Sequence, residues 1–315
     1  MDGKFKYLFG PVPSRRLGRS LGVDLTPFKT CNYNCIFCQL GVTTCQTTEI
    51  KPYVPIEEVE EELRRWFVID GQADQITLAG SGEPTLHAEF GRIIDFVRAN
   101  SKIPVTLLTN GAAMINPQVR AAASHADTVK LSLSAWDEES YRLINRPCSG
   151  MTFESLVEGE KRFRQEFTGR LLLEVFLLEG INDNPRAIKK IAEYAAQIRP
   201  DQVQLNTSVR PAAEEMARLV SRDRMLEFTA FFDPPAEVIA NFSSKGQVEV
   251  QINEEAILDM IRRRPCTMAQ IAEVFAMHPN HVSKYLGKLL GSGKITAIRR
   301  NQETFYFLES EKTVD

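Results

Sequence analysis

From Ser20 to about Ala240, short β-rich apolar runs alternate with amphipathic helical segments, and no other feature restricts the fold as much. The runs are SLGVDL (20–25), QITLAG (75–80), PVTLLT (104–109), TVKLSLS (128–134), RLLLEVFLL (170–178) and QVQLN (202–206). Between them lies VPIEEVEEELRRWF (54–67), with Ile56, Val59, Leu63 and Phe67 at helical spacing. HAEFGRIIDFVRAN (87–100) follows the same pattern, as does PRAIKKIAEYAAQI (185–198), which opens with proline at a favourable first-turn position. Alternation of β and α predicts an α/β domain with a parallel sheet and right-handed crossovers. Six strands make either an open doubly wound sheet or a partial barrel, and periodicity does not choose between them. In both, ligands are expected at the carboxyl ends of the strands.

A break is expected at NFSSKGQ (241–247), so residues 1–240 read as a core domain and 241–250 as a linker. Residues 251–310 follow a different grammar. NEEAILDMIRRR (253–264), CTMAQIAEVFAM (266–277) and HPNHVSKYLGKLLGSG (278–293) read as three helices. KITAIRRNQETFYFL (294–308) reads as two strands about a polar turn, and 311–315 as a tail. Three helices and a β-hairpin predict a small winged helix-turn-helix domain.

The core domain's sharpest motif is TPFKTCNYNCIFCQLG, which puts Cys31, Cys35 and Cys38 on the loop after the first strand. The chain has six cysteines in 315 residues, and Cys45, Cys148 and Cys266 are scattered. The opening residues contain no long apolar run, and no stretch has the length of a membrane span. The expected location is therefore the cytoplasm, where a disulfide framework is not expected. Holding one free thiol as thiolate at pH 7 costs about 2 kcal/mol, which a metal readily supplies. An iron–sulfur cube held by three cysteines leaves one iron open. A zinc site would need a fourth ligand, for which Cys45 or His87 is available. Free thiols are the remaining possibility.

The C-x3-C-x2-C spacing, with Phe37 just before Cys38, resembles the radical S-adenosylmethionine superfamily. The resemblance covers about residues 10–240. It implies a partial (β/α)6 TIM-like barrel, one 4Fe–4S cluster on Cys31, Cys35 and Cys38, and S-adenosylmethionine on the fourth iron, with Phe37 near its adenine. A second motif, LAGSGEPTL (78–86), ends the second strand. It resembles the family's Gly-Gly-Glu loop, with Ser81 in place of one glycine. Gly80, Ser81, Gly82 and Glu83 would then receive the methionine amino group. Asn110 closes the third strand and is a candidate to face the pocket; Ser132 and Ser134 close the fourth and resemble the family's ribose or methionine contacts; Glu174, within the fifth strand, is a candidate to face the pocket as well. Glu174 also stands out as a carboxylate in a very apolar strand, where burial is unfavourable without a partner. The resemblance implies reductive cleavage to a 5′-deoxyadenosyl radical that takes hydrogen from a substrate, with an electron donor of flavodoxin or ferredoxin type.

Substrate candidates are Arg15, Arg16 and Arg19 in the Gly/Pro-rich loop before the first strand, with Asn206 and Arg210 after the sixth. Arg210 suits a carboxylate or phosphate in bidentate fashion. The stretches GPVPSRRLG, AGSGEPTL and QLNTSVRP resemble the subgroup of wyosine-type tRNA-modifying synthetases. Those that form the wyosine base carry a second cluster, and no second spaced cysteine set occurs here, so the pyruvate-condensing reaction is not expected. Net charge is −3, so the chain as a whole gives no argument for nucleic acid, but residues 261–300 form a basic stretch. Between Ile261 and Arg300 lie Arg262, Arg263, Arg264, Lys284, Lys288, Lys294, Arg299 and Arg300, with Glu273 the one acidic residue in that span; Lys284 and Lys288 fall on the third helix and Arg299 and Arg300 on the wing. Five such charges on phosphates would lower affinity several-hundred-fold, very roughly, between 50 and 200 mM salt. Three readings follow: an RNA-modifying enzyme, a peptide- or protein-modifying enzyme that docks its partner on the winged domain, and a non-enzymatic iron–sulfur regulator that binds DNA.

Overall fold

The computed structural model describes residues 5–14, 18–209, 212–240, 254–275, 279–300 and 303–309. The chain opens with β1 (Leu8–Ser14), β2 (Gly18–Val23), β3 (Thr30–Cys31) and β4 (Cys45–Gln46). Next come α1 (Ile56–Ile69), β5 (Gln75–Leu78), α2 (Phe90–Asn100), β6 (Val105–Leu108), α3 (Pro117–Ala123) and β7 (Thr128–Ser132). They are followed by α4 (Glu138–Ile144), α5 (Phe153–Glu166), β8 (Arg170–Leu177), α6 (Pro185–Ile198), β9 (Gln202–Thr207), α7 (Arg222–Thr229) and β10 (Glu237–Val238). A second compact unit holds α8 (Glu254–Arg263), β11 (Cys266–Thr267), α9 (Met268–Val274), α10 (Pro279–Gly291), β12 (Ile295–Arg300) and β13 (Glu303–Leu308). The expected linker and tail lie outside the described residues.

The large sheet runs β1-β2-β5-β6-β7-β8-β9-β10. All pairs from β2 onward are parallel, and β1 is antiparallel to β2. From β2, spatial order follows chain order with no reversal, unlike a doubly wound sheet. Strand alternation points the same way. Leu21, Val23, Ile76, Leu78, Val105, Leu107, Val129, Leu131, Leu173 and Leu205 are buried in the main core. Their neighbours along the strands, which face the opposite way, include Ser20, Thr77, Thr106, Lys130, Glu174 and Asn206. One face is apolar throughout and takes the helices, whereas the other is mostly polar, with Leu172 and Phe176 of β8 as apolar exceptions. The sheet is singly wound, of barrel type, with β1 and β10 as its two edges.

Helices on the apolar face carry matching stripes. On α6 the stripe is Ile188, Ile191, Ala195 and Ile198. Asn184 caps this helix by accepting from Ala187 N at 3.0 Å, and Pro185 opens it. Burying each isoleucine contributes about 1.5–3 kcal/mol. No described helix is long and apolar enough to cross a membrane.

Two expectations need correction. Residues 8–14 are a strand, not a loop. Its glycine and prolines conceal it, but an edge strand tolerates proline because one row of its backbone groups needs no partner. The helix expected from 266 starts at Met268, because Cys266 and Thr267 pair with Tyr306 and Phe305. Thr267 then caps it: Gln270 N donates to Thr267 Oγ1 and Thr267 N to Gln270 Oε1, both at 3.2 Å. The second unit thus has three helices and a three-stranded antiparallel sheet in the order β11-β13-β12, around Ile257, Ile261, Ile271, Val282, Leu286 and Ile295.

Glu160 of α5 is the first unit's outlying feature. It is fully buried, neither carboxylate oxygen has a hydrogen-bond partner among the described residues, and Oε1 lies against Gly111. Burial pushes its carboxyl well above the ordinary range. The folded chain therefore keeps a proton that the unfolded chain releases above about pH 4.3, and stability falls as pH rises beyond that point. Glu160→Gln is expected to match the parent near pH 4 and to exceed it by about 1–3 kcal/mol near pH 8. Urea unfolding followed by the fluorescence of Trp66 and Trp136 reads this unit directly; a constant difference across that range would contradict the assignment.

Candidate metal centre

The cysteine loop leaves the carboxyl end of β2, and the GSGE loop leaves that of β5, its neighbour in the sheet. Two backbone hydrogen bonds join them: Lys29 N to Ser81 O at 2.6 Å and Glu83 N to Thr30 O at 3.0 Å. This closeness fixes the glycines. A Cβ on Gly82 would lie 1.9 Å from Thr30 O, and one on Gly80 would lie 2.3 Å from Asp24 Cγ. Ser81 is tolerated because its side chain has a dedicated partner. Its N–H and hydroxyl donate to the two oxygens of Asp24 at 3.0 and 2.5 Å.

Each of the three clustered sulfurs meets a nitrogen donor. Cys31 Sγ accepts from Tyr33 N at 3.4 Å and from Asn110 Nδ2 at 3.6 Å. Cys35 Sγ accepts from Asn145 Nδ2 at 3.6 Å, and Cys38 Sγ from Lys29 Nζ at 3.0 Å. A thiol is a weak acceptor, whereas a thiolate is a strong one, so this set of donors suits ligand sulfurs. Burial, then Glu83, pushes the Cys31 thiol up to about 12; burial and the other two cysteines push Cys35 well above its ordinary value. Without a cationic group to take them, these thiols stay protonated at pH 7.

Among the described residues no group of three or more His, Cys, Asp or Glu is arranged to hold one metal ion. The zinc alternative also lacks its fourth ligand. His87 is buried, with Nε2 3.0 Å from Val54 O and Nδ1 accepting from Glu89 N at 3.1 Å. Cys45 on β4 is exposed and pairs in register with Thr30 of β3. Three sulfurs that do not share one ion fit a cluster in which each takes its own iron.

Glu83 is 3% exposed and strongly bound. Its Oε1 accepts from Thr85 N at 3.1 Å and from the Thr85 and Thr109 hydroxyls, each at 2.6 Å. Its Oε2 accepts from Asn110 N at 2.9 Å. Burial pushes its carboxyl up, and these bonds offset part of that rise. Asn110 links the two motifs, since its Nδ2 also bonds Asn32 Oδ1 at 2.7 Å beside Cys31. Phe37 is half-buried and stacks on Phe176 of β8, with centroids 4.3 Å apart. This contact turns the cysteine loop toward the polar face of the sheet.

Other expected site residues have different surroundings. Glu174 forms an ion pair with Lys130 on β7 and accepts from Asn206 Nδ2 at 3.3 Å. Its place in an apolar strand is thus explained by a protein partner that the sequence reading passed over. Ser132 is half-buried, in register with Glu174. Ser134 is buried, and its hydroxyl accepts from Phe176 N at 3.0 Å, which makes it a pin for the stacked ring.

Arg19 is corrected as a neighbour of this site. It lies at the amino end of β2, away from the cysteine loop, and its N–H donates to Asp74 Oδ2 at 2.7 Å, with Asp70 3.9 Å from its guanidinium. Arg15, Arg16 and Arg210 lie outside the described residues. In the second unit Lys284 and Arg299 are exposed, Arg300 is half-buried opposite Glu303 in register, and Lys288 pairs with Glu254 at 2.9 Å. Lys29, Asp24, Thr109 and Asn145 were not singled out from the sequence. Only Asp24, a carboxylate ending an apolar run, carried a signal there.

The family model described as the Radical SAM superfamily matches residues 25–195, a span that includes both motifs. A Brachyspira hyodysenteriae protein named GTPase Obg is 36% identical over 296 residues, 93% of this chain and 44% of that protein. The chain therefore spans less than half the length of that relative. A Helicobacter pylori protein named UPF0026 protein is 31% identical over 312 residues, covering 95% of this chain and 96% of that protein. Among solved structures, a radical SAM methyltransferase from Sphaerobacter thermophilus aligns with a TM-score of 0.56 at 20% identity, over 71% of this chain and 67% of its own, a likeness of fold. With both motifs inside the matched span and their loops bonded to each other, the chain belongs to the radical SAM superfamily of enzymes and takes its two cofactors, a 4Fe–4S cluster and S-adenosylmethionine.

Proposed function

We propose that this enzyme cleaves S-adenosylmethionine reductively and abstracts hydrogen from an RNA substrate, with Cys31, Cys35 and Cys38 as the cluster ligands. The observation that carries the assignment of roles is the direct bonding of the cysteine loop to the GSGE loop, with Asn110 touching both Cys31 and Glu83. A cluster held by Cys31, Cys35 and Cys38 would supply the one-electron reduction that this cleavage needs, drawn from an external donor. Glu83 would receive the methionine amino group. Among the described residues its Oε2 accepts from Asn110 N and has capacity for another hydrogen bond. Gly80 and Gly82 keep the loop's backbone close enough to serve that purpose. Phe176 covers one face of Phe37, and the other would lie along the adenine.

The wyosine-type likeness and the C-terminal module support the choice of RNA. Three helices with a β-hairpin suit a winged helix-turn-helix, and exposed Lys284, Lys294 and Arg299 offer phosphate contacts. Lys288 already has Glu254 and contributes less. An electron donor of flavodoxin or ferredoxin type would complete the system.

After anaerobic reconstitution with iron and sulfide, the parent is expected to release 5′-deoxyadenosine with dithionite and S-adenosylmethionine. Cys31→Ala, Cys35→Ala and Cys38→Ala should each abolish the cluster and this product, while Cys45→Ala, Cys148→Ala and Cys266→Ala keep both. Loss of iron from Cys45→Ala would overturn the ligand set. Gly82→Ala should lower stability by about 1–3 kcal/mol through overpacking against Thr30 and reduce retention of S-adenosylmethionine; an unchanged variant would refute the close approach. If three cations meet phosphates, affinity for transfer RNA should fall about 20- to 40-fold between 50 and 200 mM salt. Lys284→Ala with Arg299→Ala should flatten that slope. Absence of RNA binding with retained binding of a peptide would favour the protein-modifying alternative.

A further inference from the structure

Lys29 stands two residues before Cys31, and its side chain enters the protein instead of solvent. It is 3% exposed, and Nζ donates to Cys38 Sγ at 3.0 Å. Its φ is 58°, in the left-handed region that long side chains seldom adopt. The turn is held from both sides, since Lys29 N donates to Ser81 O and Lys29 O accepts from Cys45 N at 3.1 Å. Burying an ammonium group is unfavourable without a partner. The partner in reach is the sulfur of Cys38.

The donors to the three sulfurs are not equivalent. Tyr33 offers a backbone N–H, and Asn110 and Asn145 offer side-chain amides, all neutral. Lys29 brings a formal charge, and charge-assisted bonds are about twice as strong as neutral ones. Hydrogen bonds to ligand sulfurs and local charge are what a protein uses to set the potential of an iron–sulfur cluster. A positive donor withdraws electron density from the sulfur and favours the form carrying one more electron. We propose that Lys29 is a positioning residue that raises the cluster's reduction potential through Cys38, so that a mild donor can reduce it.

The inference rests on ligation by Cys31, Cys35 and Cys38. Its test is an electrochemical titration of the reconstituted full chain without S-adenosylmethionine, followed by electron paramagnetic resonance, with iron and sulfide counted in every sample. Lys29→Gln keeps a neutral donor. Lys29→Gly removes the side chain and relieves the left-handed turn, so this variant should fold. Lys29→Arg restores the charge. Poised at the parent's midpoint, Lys29→Gln and Lys29→Gly should show a reduced-to-oxidised ratio about tenfold lower than the parent, equivalent to about 59 mV for one electron. Lys29→Arg should stay within about threefold of the parent. Glutamine and glycine variants with full iron and the parent's midpoint would overturn the proposal. So would loss of iron from both while the chain remains folded, which would make Lys29 an assembly residue. A parent that takes up no iron would instead sink the ligand assignment, a result distinct from either of these.

Discussion

Two backbone hydrogen bonds between the cysteine loop and the GSGE loop are the constraint on which the rest of the site depends. They require two strand ends side by side, which the parallel pairing of β2 with β5 provides. They also require a backbone approach too close for side chains at positions 80 and 82. Position 81 is different because Asp24 accepts both polar hydrogens of the serine. The loop therefore needs small residues at two defined positions, and a serine between them is compatible with the same backbone. Asn110 extends the link to a third strand end, so cluster and cofactor residues are held as one bonded assembly.

That assembly is buried and rich in ionisable groups, which would be unfavourable in an ordinary core. Glu83 is kept in place by four donors from three residues, and Cys31 and Cys35 resist ionisation. Both features make sense if the site is completed by cationic groups. Iron would take the thiolate charge, and an ammonium would take that of the carboxylate. Glu160 gives the contrast, a buried carboxyl with no partner among the described residues that is held in its neutral form.

The cysteine motif was legible because its geometry is local: eight residues place three sulfurs on one loop, whatever the rest of the chain does. The parallel strands and the main helices were legible because their apolar periodicity is a property of each segment. The first strand was hidden by Gly10, Pro11 and Pro13, since what permits them is an edge position that no local pattern announces. Lys29 was hidden for a related reason. Its direction is set by a left-handed turn and by Ser81, fifty residues away. Arg19 stands inside the strand because β2 begins two residues before its apolar run, where its N–H is taken by Asp74.

Glu174 shows how a sound principle can be met by a partner that no local pattern announces. A carboxylate in the strand LLLEVFLL must be neutralised, and that inference holds. The neutralising group is Lys130, one strand away, with Asn206 on the strand beyond. The same parity explains all three positions, since residues on the face of the sheet away from the helices are free to be polar. Breaking such a pair by removing one member typically costs about 3–5 kcal/mol, because it leaves the other charge without its counter-ion. Lys130 and Glu174 are thus bound to each other in stability before either can be assigned to a ligand. The polar face of a singly wound sheet is in this respect a structural requirement as well as a place for chemistry. It explains why six strands that read as nearly apolar do not form a sheet covered on both sides.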